Sequence, residues 1–276
     1  MKKIWFLGEQ KIMKITFYGY NTFVINSDDK KLVIDPGAEL YFFRFLKSNL
    51  PRSEWKDVTH IFVTHADPDH YWHIDRVQEI SNALIVCNKT LIQKKGEGTF
   101  MLAPRKKGLS FTTPVQKVRT VSAGELIAID NMKIMGIKTA HGPLKIKVGP
   151  FLKTLYPGPN ERIGWGSIGF TIQINNKTIV NLGDTILFED EWNMLQNPDI
   201  LMIPIGGESI RNTMNEKEAL IAVKRIKPKM VIPCHYNCPG LFKKNVNPAD
   251  DLFFKQKVEK MGLDCTILGY GESFDL

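Results

Sequence analysis

The feature that most constrains this 276-residue chain is the stretch IFVTHADPDHYWHID at residues 61–75. Its first three residues are apolar and favour a β-strand. The run that follows concentrates side chains that bind metals: His65, Asp67, Asp69 and His70. Pro68 interrupts this run, so we predict a rigid turn rather than a continuing helix. Burying bare carboxylates costs several kcal/mol each, which indicates a divalent metal among them, and a solvent-exposed polar loop is the alternative.

Three further residues with metal-binding side chains each follow a predicted strand in a distant part of the chain. They are His141, Asp184 and His235. Four of the six histidines in the sequence thereby fall into one set with three aspartates. The set predicts a metal centre that folding assembles from separate segments.

This series resembles the metallo-β-lactamase superfamily, whose pattern is an H-x-H-x-D-H loop followed by a lone His, a lone Asp and a final His. The resemblance runs from about Met13 to the end of the chain. It implies an α/β fold, a four-layer αββα sandwich, formed by a single domain of residues 1–276. Residues 1–12 match nothing in the pattern, so either they are an N-terminal extension or Met13, rather than Met1, is the natural start.

The resemblance also implies how a pair of divalent ions is held. In the family layout one ion is bound by His65, Asp67 and His141. The second ion is bound by Asp69, His70 and His235, and Asp184 bridges the two. Such ions lie about 3.5–4 Å apart.

Asp67 departs from the family pattern because it stands where most members have a second histidine. A carboxylate at this position favours Mn²⁺ or Fe²⁺ more than an imidazole does, although Zn²⁺ also accepts an Asp oxygen. Zn²⁺ remains our first choice. The alternative for Asp67 is that its side chain turns away and leaves a water molecule as the ligand.

Other residues are candidates for supporting the metal ligands. In the family the aspartate corresponding to Asp35 usually supports the metal loop by hydrogen bonding, and a simple turn carboxylate is the alternative. Tyr20 replaces the histidine of a G-H-S-x-F turn found in the subgroup that includes ascorbate-6-phosphate lactonase. A P-x-H-Y-N series in that subgroup is similar to residues 233–237, where we expect Tyr236 or Asn237 to hydrogen bond a metal-binding histidine.

The segment at residues 142–164 contains four prolines, several glycines and two aromatic residues that we expect to be exposed. A long loop next to a ligand residue is more often functional than idle. We expect Phe151, Leu155 and Tyr156 to cover the metals, and Arg162 or a lysine to meet an anion. A subunit contact is the alternative, and the sequence leaves a homo-oligomer open.

The composition of the chain indicates which substrates and partners it can bind. The net charge of +8 suits an anionic substrate, but the lysines are spread widely and lack the interleaved aromatic residues of a nucleic-acid platform, so nucleic acid is not expected. The sequence has no apolar run of about eighteen residues, so no membrane helix is expected. Four scattered cysteines suit a reducing compartment, and cytoplasmic location is the default.

These features together predict a metal-dependent hydrolase. In the predicted mechanism a hydroxide shared by two ions attacks a small, anionic ester or lactone, and Asp69 orients the hydroxide and accepts its proton. Three alternatives stay open: a phosphodiesterase or nuclease of the same fold, a di-iron redox protein, and a metal-stabilised binding protein without turnover.

Overall fold

The structure is a computed structural model that describes residues 13–38, 47–104, 113–148, 151–158, 161, 163–188, 191–208, 211–239 and 246–276. The first half contains β1 (Met13–Phe17), β2 (Phe23–Ser27), β3 (Lys30–Ile34), β4 (His60–Val63), α1 (Pro68–Tyr71), α2 (Ile74–Ser81), β5 (Leu84–Asn88), β6 (Ile92–Gly96), β7 (Thr99–Leu102), β8 (Thr113–Val115) and β9 (Val118–Val121). The extension predicted at residues 1–12, with the choice of start, lies outside these ranges.

The second half continues the alternation of strands and helices. It contains β10 (Leu126–Ile129), β11 (Met132–Ile137), β12 (Leu144–Val148), β13 (Phe151–Leu155), β14 (Gly169–Ile174), β15 (Lys177–Asn181), β16 (Ile200–Pro204), β17 (Gly206–Glu208), β18 (Arg211–Asn215), α3 (Glu216–Ile226), β19 (Met230–Cys234), α4 (Asp251–Glu259), β20 (Asp264–Cys265) and β21 (Ser273–Asp275).

Two large sheets organise the described residues. The first has the strand order β21-β1-β2-β3-β4-β5-β9 and the second β10-β11-β14-β15-β16-β19-β20. In each sheet, antiparallel hairpins at one side lead into parallel strands at the other, with β3, β4, β5 and β9 parallel in the first and β15, β16, β19 and β20 parallel in the second. Parallel strands end at the same edge of a sheet, and this edge carries the candidate site.

The layers follow from the alternation of side chains along each strand. In β4, Phe62 points between the sheets and meets Phe170 edge to face, with ring centroids 5.3 Å apart. Its neighbours Ile61 and Val63 point to the other face and pack with α2. A third apolar cluster joins the outer face of the second sheet to α3 and α4. This arrangement confirms the αββα sandwich.

The turn after β4 differs from the prediction in one respect. Pro68 was expected to prevent a helix, but it begins the short helix α1, which contains Asp69 and His70. Proline is compatible with the first helical position, because the N–H that it lacks has no partner within the helix there. The proline therefore fixes where the helix begins.

Within the described ranges, the structure contains no helix with both the length and the apolar character needed to span a bilayer.

The capping box at the start of α3 gives a test of the fold. Asn215 accepts a hydrogen bond from the Glu218 N–H, and Glu218 accepts one from the Asn215 N–H. We expect Asn215→Ala to lower the free energy of unfolding by about 1 kcal/mol, measured by urea denaturation. Lys217→Ala on the same helix, an exposed site, is the control and should change it by less than about 0.5 kcal/mol. Equal stability of the two variants would contradict the capping role.

Candidate metal centre

The seven residues predicted as metal ligands lie together at the edge where the strands end. His65 follows β4, His141 follows β11, Asp184 follows β15 and His235 follows β19, while Asp67, Asp69 and His70 lie in the turn and short helix after β4. All seven are buried, with no more than 7% of any residue exposed. Folding therefore brings donors from four separate segments into one enclosed place.

The donor atoms form two neighbouring groups, each able to hold a metal ion. One group is His65, His141 and Asp184, and the other is Asp69, His70 and His235. Within each group the donor atoms lie within 4.8 Å of one another. Asp184 also reaches the second group, because its Oδ2 lies 2.9 Å from the Nε2 of His235 and 3.6 Å from the Nε2 of His70. It thus stands between the two positions.

Asp67 faces the first group. Its Oδ2 lies 3.4 Å from the Nε2 of His65 and 3.5 Å from the Nε2 of His141. The same oxygen accepts a hydrogen bond of 3.2 Å from the N–H of Gly164. A Cβ at Gly164 would lie only 2.1 Å from the Cβ of His141, so this close approach requires glycine. The alternative in which Asp67 turns away from the site does not match this geometry.

In three of the histidines, Nε2 faces the cluster and Nδ1 contacts a group outside it. The Nδ1 of His70 lies 2.7 Å from the Oδ2 of Asp35, and the Nδ1 of His141 lies 2.6 Å from the carbonyl of Gly142. A carboxylate or carbonyl oxygen can only accept a hydrogen bond, so each of these two rings donates its Nδ1–H to its own partner. The Nδ1 of His65 lies 3.1 Å from the Oγ1 of Thr64. Neutral rings with this tautomer direct the lone pair of Nε2 into the cluster, as a metal ligand requires.

Asp35 is the centre of a buried hydrogen-bond network behind the site. Its Oδ2 accepts from the Nδ1 of His70, from the Oγ1 of Thr64 at 2.6 Å and from the Nδ2 of Asn21 at 2.7 Å. Its Oδ1 accepts from the Thr64 N–H at 2.8 Å. Asn21 also donates to the Oδ1 of Asn181 at 3.1 Å, which joins the first sheet to the second. Asp35 thus does more than end a turn: it holds His70 and the start of the metal loop.

The charged side chains within the cluster shift one another's pKa values. Burial alone raises the pKa of a carboxyl group, but the facing histidines hold the pKa values of Asp67, Asp69 and Asp184 below their ordinary range. Burial lowers the pKa of His235, but the carboxylates of Asp184 and Asp69 outweigh it and raise that pKa to about 9. The carboxylates are therefore anionic at neutral pH.

The donor set fits divalent cations. Four buried polar atoms that border the site have no hydrogen-bond partner among the described residues: His65 Nε2, His70 Nε2, Asp67 Oδ1 and Asp184 Oδ1. The described ion pairs of the site carboxylates are to histidines, with no lysine or arginine among them. A bound metal ion would accept the unpaired lone pairs of these buried atoms and balance the charge of the buried carboxylates.

A cavity of about 120 Å³ opens onto the cluster. Its wall carries apolar side chains from Leu144, Ile163 and Val246 and carboxamides from Asn212 and Asn247. These five residues were not predicted from the sequence, since none of them belongs to a recognisable motif. The cavity accommodates a small molecule next to the donor atoms.

The segment at residues 142–164 contributes to this wall differently from the prediction. It forms the hairpin β12–β13, and its contributions to the described wall are Leu144 and Ile163. Tyr156 is 64% exposed and Leu155 does not line the cavity, so neither covers the cluster as expected. The side chain of Phe151 and all of Arg162 lie outside the described residues, and their expected roles remain predictions.

Tyr236 and Asn237, expected to support a histidine, have other partners. The Asn237 side chain donates to the carbonyl of Ala249 and accepts from its N–H, both at 3.2 Å. Tyr236 is half-buried on the far side of β19, where burial and the nearby carboxylate of Asp251 raise its pKa. The residue that contacts the Nδ1 of His235 is Asn247, at 3.0 Å. It lies twelve residues along the chain, so spacing could not reveal it.

Comparisons with known proteins agree with this geometry. A family model described as a Beta-lactamase superfamily domain matches residues 14–235. A UPF0173 metal-dependent hydrolase from Pelotomaculum thermopropionicum is 32% identical over 273 residues, covering 96% of this chain and 100% of the relative. A UPF0173 metal-dependent hydrolase from Nanoarchaeum equitans is 29% identical over 266 residues, with 96% and 100% covered.

A solved structure shows the same fold. It is that of Igni18, a metallo hydrolase from the hyperthermophilic archaeon Ignicoccus hospitalis, with a TM-score of 0.68 at 20% identity. The match covers 96% of this chain and 98% of that chain, so the sandwich is shared over nearly its whole length.

The network around Asp35 can be tested by replacing one oxygen. Asp35 accepts four hydrogen bonds through its two oxygens. The NH₂ group of an asparagine would replace one of these oxygens in either orientation of the side chain and would then face a hydrogen-bond donor. We expect Asp35→Asn to lower the affinity for Zn²⁺ about 10- to 100-fold, measured by competition with a chelator. Asp130→Asn removes an exposed carboxylate far from the cluster and should leave the affinity unchanged. Unchanged affinity in Asp35→Asn would show that the network does not position His70.

Proposed function

This chain belongs to the beta-lactamase superfamily and is a metal-dependent hydrolase, and from this premise we propose that it cleaves a small ester or lactone with two divalent cations. The observation that carries the proposal is the pair of donor groups with Asp184 between them, opening onto a cavity. His65, Asp67 and His141 would hold one cation. Asp69, His70 and His235 would hold the other, and Asp184 would contact both.

The cations supply the nucleophile. When bound, such ions would lower the pKa of a water molecule from 15.7 to roughly 7, so that hydroxide would be available at neutral pH. Zn²⁺ suits the four imidazoles and is the first choice. The carboxylate of Asp67 also suits Mn²⁺ or Fe²⁺, so the native metal is a matter for analysis of the purified protein.

The residues of the chain perform the remaining tasks. Asp69 lines the cavity, and we assign it the proton released from the attacking water, since its carboxylate is ionised at neutral pH. Leu144, Ile163 and Val246 exclude bulk water from one side of the cavity. His65, His70 and His141 are held in the required tautomer from outside the cluster, which limits the reorganisation needed when substrate binds.

The substrate class rests on three supports. The cavity of about 120 Å³ favours a small molecule over a polymer. The apolar wall suits the carbon skeleton of an ester or lactone, and the carboxamides of Asn212 and Asn247 offer polar contacts. We propose that the substrate is anionic from the protein's net charge of +8 alone.

The proposed function can be tested by removing the residue between the two donor groups. We expect Asp184→Ala to lose bound metal, measured by inductively coupled plasma mass spectrometry, and to lose at least about 100-fold in kcat/KM toward the best substrate in a panel of lactones, esters and phosphodiesters. Circular dichroism should show an intact fold.

His60→Gln is the matched control, because His60 lies outside the cluster beside Thr59. This variant should keep both the metal and the activity. A folded Asp184→Ala variant that hydrolyses the panel as well as the wild-type protein would contradict the proposed role of the cations. Cleavage of phosphodiesters alone would leave the cations in place but replace the proposed substrate class.

A further inference from the structure

Asn247 holds the ring of His235 from the side opposite the carboxylates. Its Nδ2 lies 3.0 Å from the Nδ1 of His235. The Nε2 of the same ring lies 2.9 Å from the Oδ2 of Asp184 and 3.3 Å from the Oδ2 of Asp69. The ring is thus fixed at both nitrogens, with a neutral amide on one side and the donor cluster on the other.

The backbone fixes the position of Asn247. The Asn237 N–H donates to the carbonyl of Asn247 at 2.7 Å, and the Val246 N–H donates to the carbonyl of Cys238 at 3.0 Å. The segment also packs against Gly206, where a Cβ would lie 2.7 Å from the Cβ of Asn247. These contacts make the distance between Asn247 and His235 a property of the fold rather than of a mobile side chain.

A second carboxamide contacts the first. The Nδ2 of Asn212 lies 3.3 Å from the Oδ1 of Asn247. Asn212 is itself tied to the loop of His141, because its carbonyl accepts from the Gly142 N–H at 2.7 Å and its N–H donates to the carbonyl of Pro143 at 2.9 Å. The carboxamide pair therefore joins a histidine of one donor group to the loop that carries a histidine of the other.

We propose that Asn247 is a positioning residue that gives His235 the tautomer needed to bind a cation, and that Asn212 sets the direction of its carboxamide. The inference rests on the proposed function, since it takes His235 as a ligand. Nε2 binds a cation only without a proton, so a neutral ring then carries its proton on Nδ1, which needs an acceptor. His70 and His141 have such acceptors in Asp35 and the Gly142 carbonyl. For His235 we assign this role to the oxygen of Asn247, which takes the place of the Nδ2 after a half-turn of the carboxamide.

This role requires the carboxamide of Asn247 to present its oxygen to His235. The two ends of a carboxamide occupy nearly the same volume, so a half-turn about the terminal torsion exchanges them without moving the backbone. The Nδ2 of Asn247 then faces Asn212, whose carboxamide must present its own oxygen. The two amides therefore have matching orientations, and the acceptor at His235 depends on an acceptor at Asn212.

Two isosteric variants of Asn247 test the first part of the proposal. Asn247→Leu removes the acceptor, and Asn247→Asp keeps it with almost the same shape. We expect Asn247→Leu to weaken one of two bound Zn²⁺ ions about 10- to 100-fold in competition with a chelator, and Asn247→Asp to bind both at least as tightly as the wild-type protein. Two ions bound with wild-type affinity by the Leu variant, or equal losses in both variants, would overturn the proposal.

Asn212→Asp tests the direction of the carboxamide. An acceptor-only side chain at this position favours the orientation in which Asn247 turns its oxygen toward His235, and aspartate tolerates the positive φ of 60° found there. We therefore expect this variant to keep wild-type affinity for Zn²⁺. A loss like that of Asn247→Leu would show that Asn247 donates to His235, which contradicts the proposal.

A spectroscopic measurement on the unmodified protein does not depend on whether any variant folds. Long-range ¹⁵N–¹H correlation spectra of the zinc-loaded wild-type protein should show the proton of His235 on Nδ1. A deprotonated or zinc-bound Nδ1 would overturn the inference while leaving the proposed function intact. Wild-type protein that binds none of Zn²⁺, Mn²⁺ and Fe²⁺ would instead refute the proposed function itself.

Discussion

The structure depends on a concentration of negative charge in its interior. Four buried carboxylates, which contact the same small group of histidines, contribute this charge: Asp35, Asp67, Asp69 and Asp184. Their described ion-pair partners are imidazoles, and a ring nitrogen that keeps a balancing proton cannot bind a cation at the same time. Uncompensated burial costs several kcal/mol per ion. A pair of divalent cations would carry the four positive charges that balance the set, and we propose that the same cations supply the chemistry.

The sandwich places this charge where the backbone can hold it. Strand ends converge at one edge, and the Asn21–Asn181 hydrogen bonds tie the two sheets together directly behind the cluster. Two residues there, Asp35 and His235, have positive φ values of 47° and 52°, which cost free energy for residues with a Cβ. The Asp35 network and the Tyr20 carbonyl, which accepts from the His235 N–H at 2.8 Å, stabilise these conformations. Tyr20, in place of the subgroup's histidine, also packs its ring against His235.

The sequence was most informative where chemistry is local. A dense run of ligand residues after an apolar strand, and lone ligands after later strands, predicted the members of the cluster, and the family resemblance that they carry implied the fold. It could not decide between the two readings of Asp35, because the answer depends on Asn21 and Thr64, which only the folded sheet brings near. Tyr236 or Asn237 was expected at His235 because both are near it in sequence, but the Asn237 side chain holds the segment that carries Asn247. Contacts between distant loops leave no periodic signal, so the wall of the cavity was also missed.

The central claim is that the buried donors exist to bind two cations side by side. Anomalous diffraction from crystals of the native protein, recorded at the absorption edge of the metal found by elemental analysis, tests this most directly. We expect two peaks about 3.5–4 Å apart, one among His65, His141 and Asp184 and the other among Asp69, His70 and His235, with Asp184 in contact with both. The absence of both peaks while the side chains keep these positions would contradict the account.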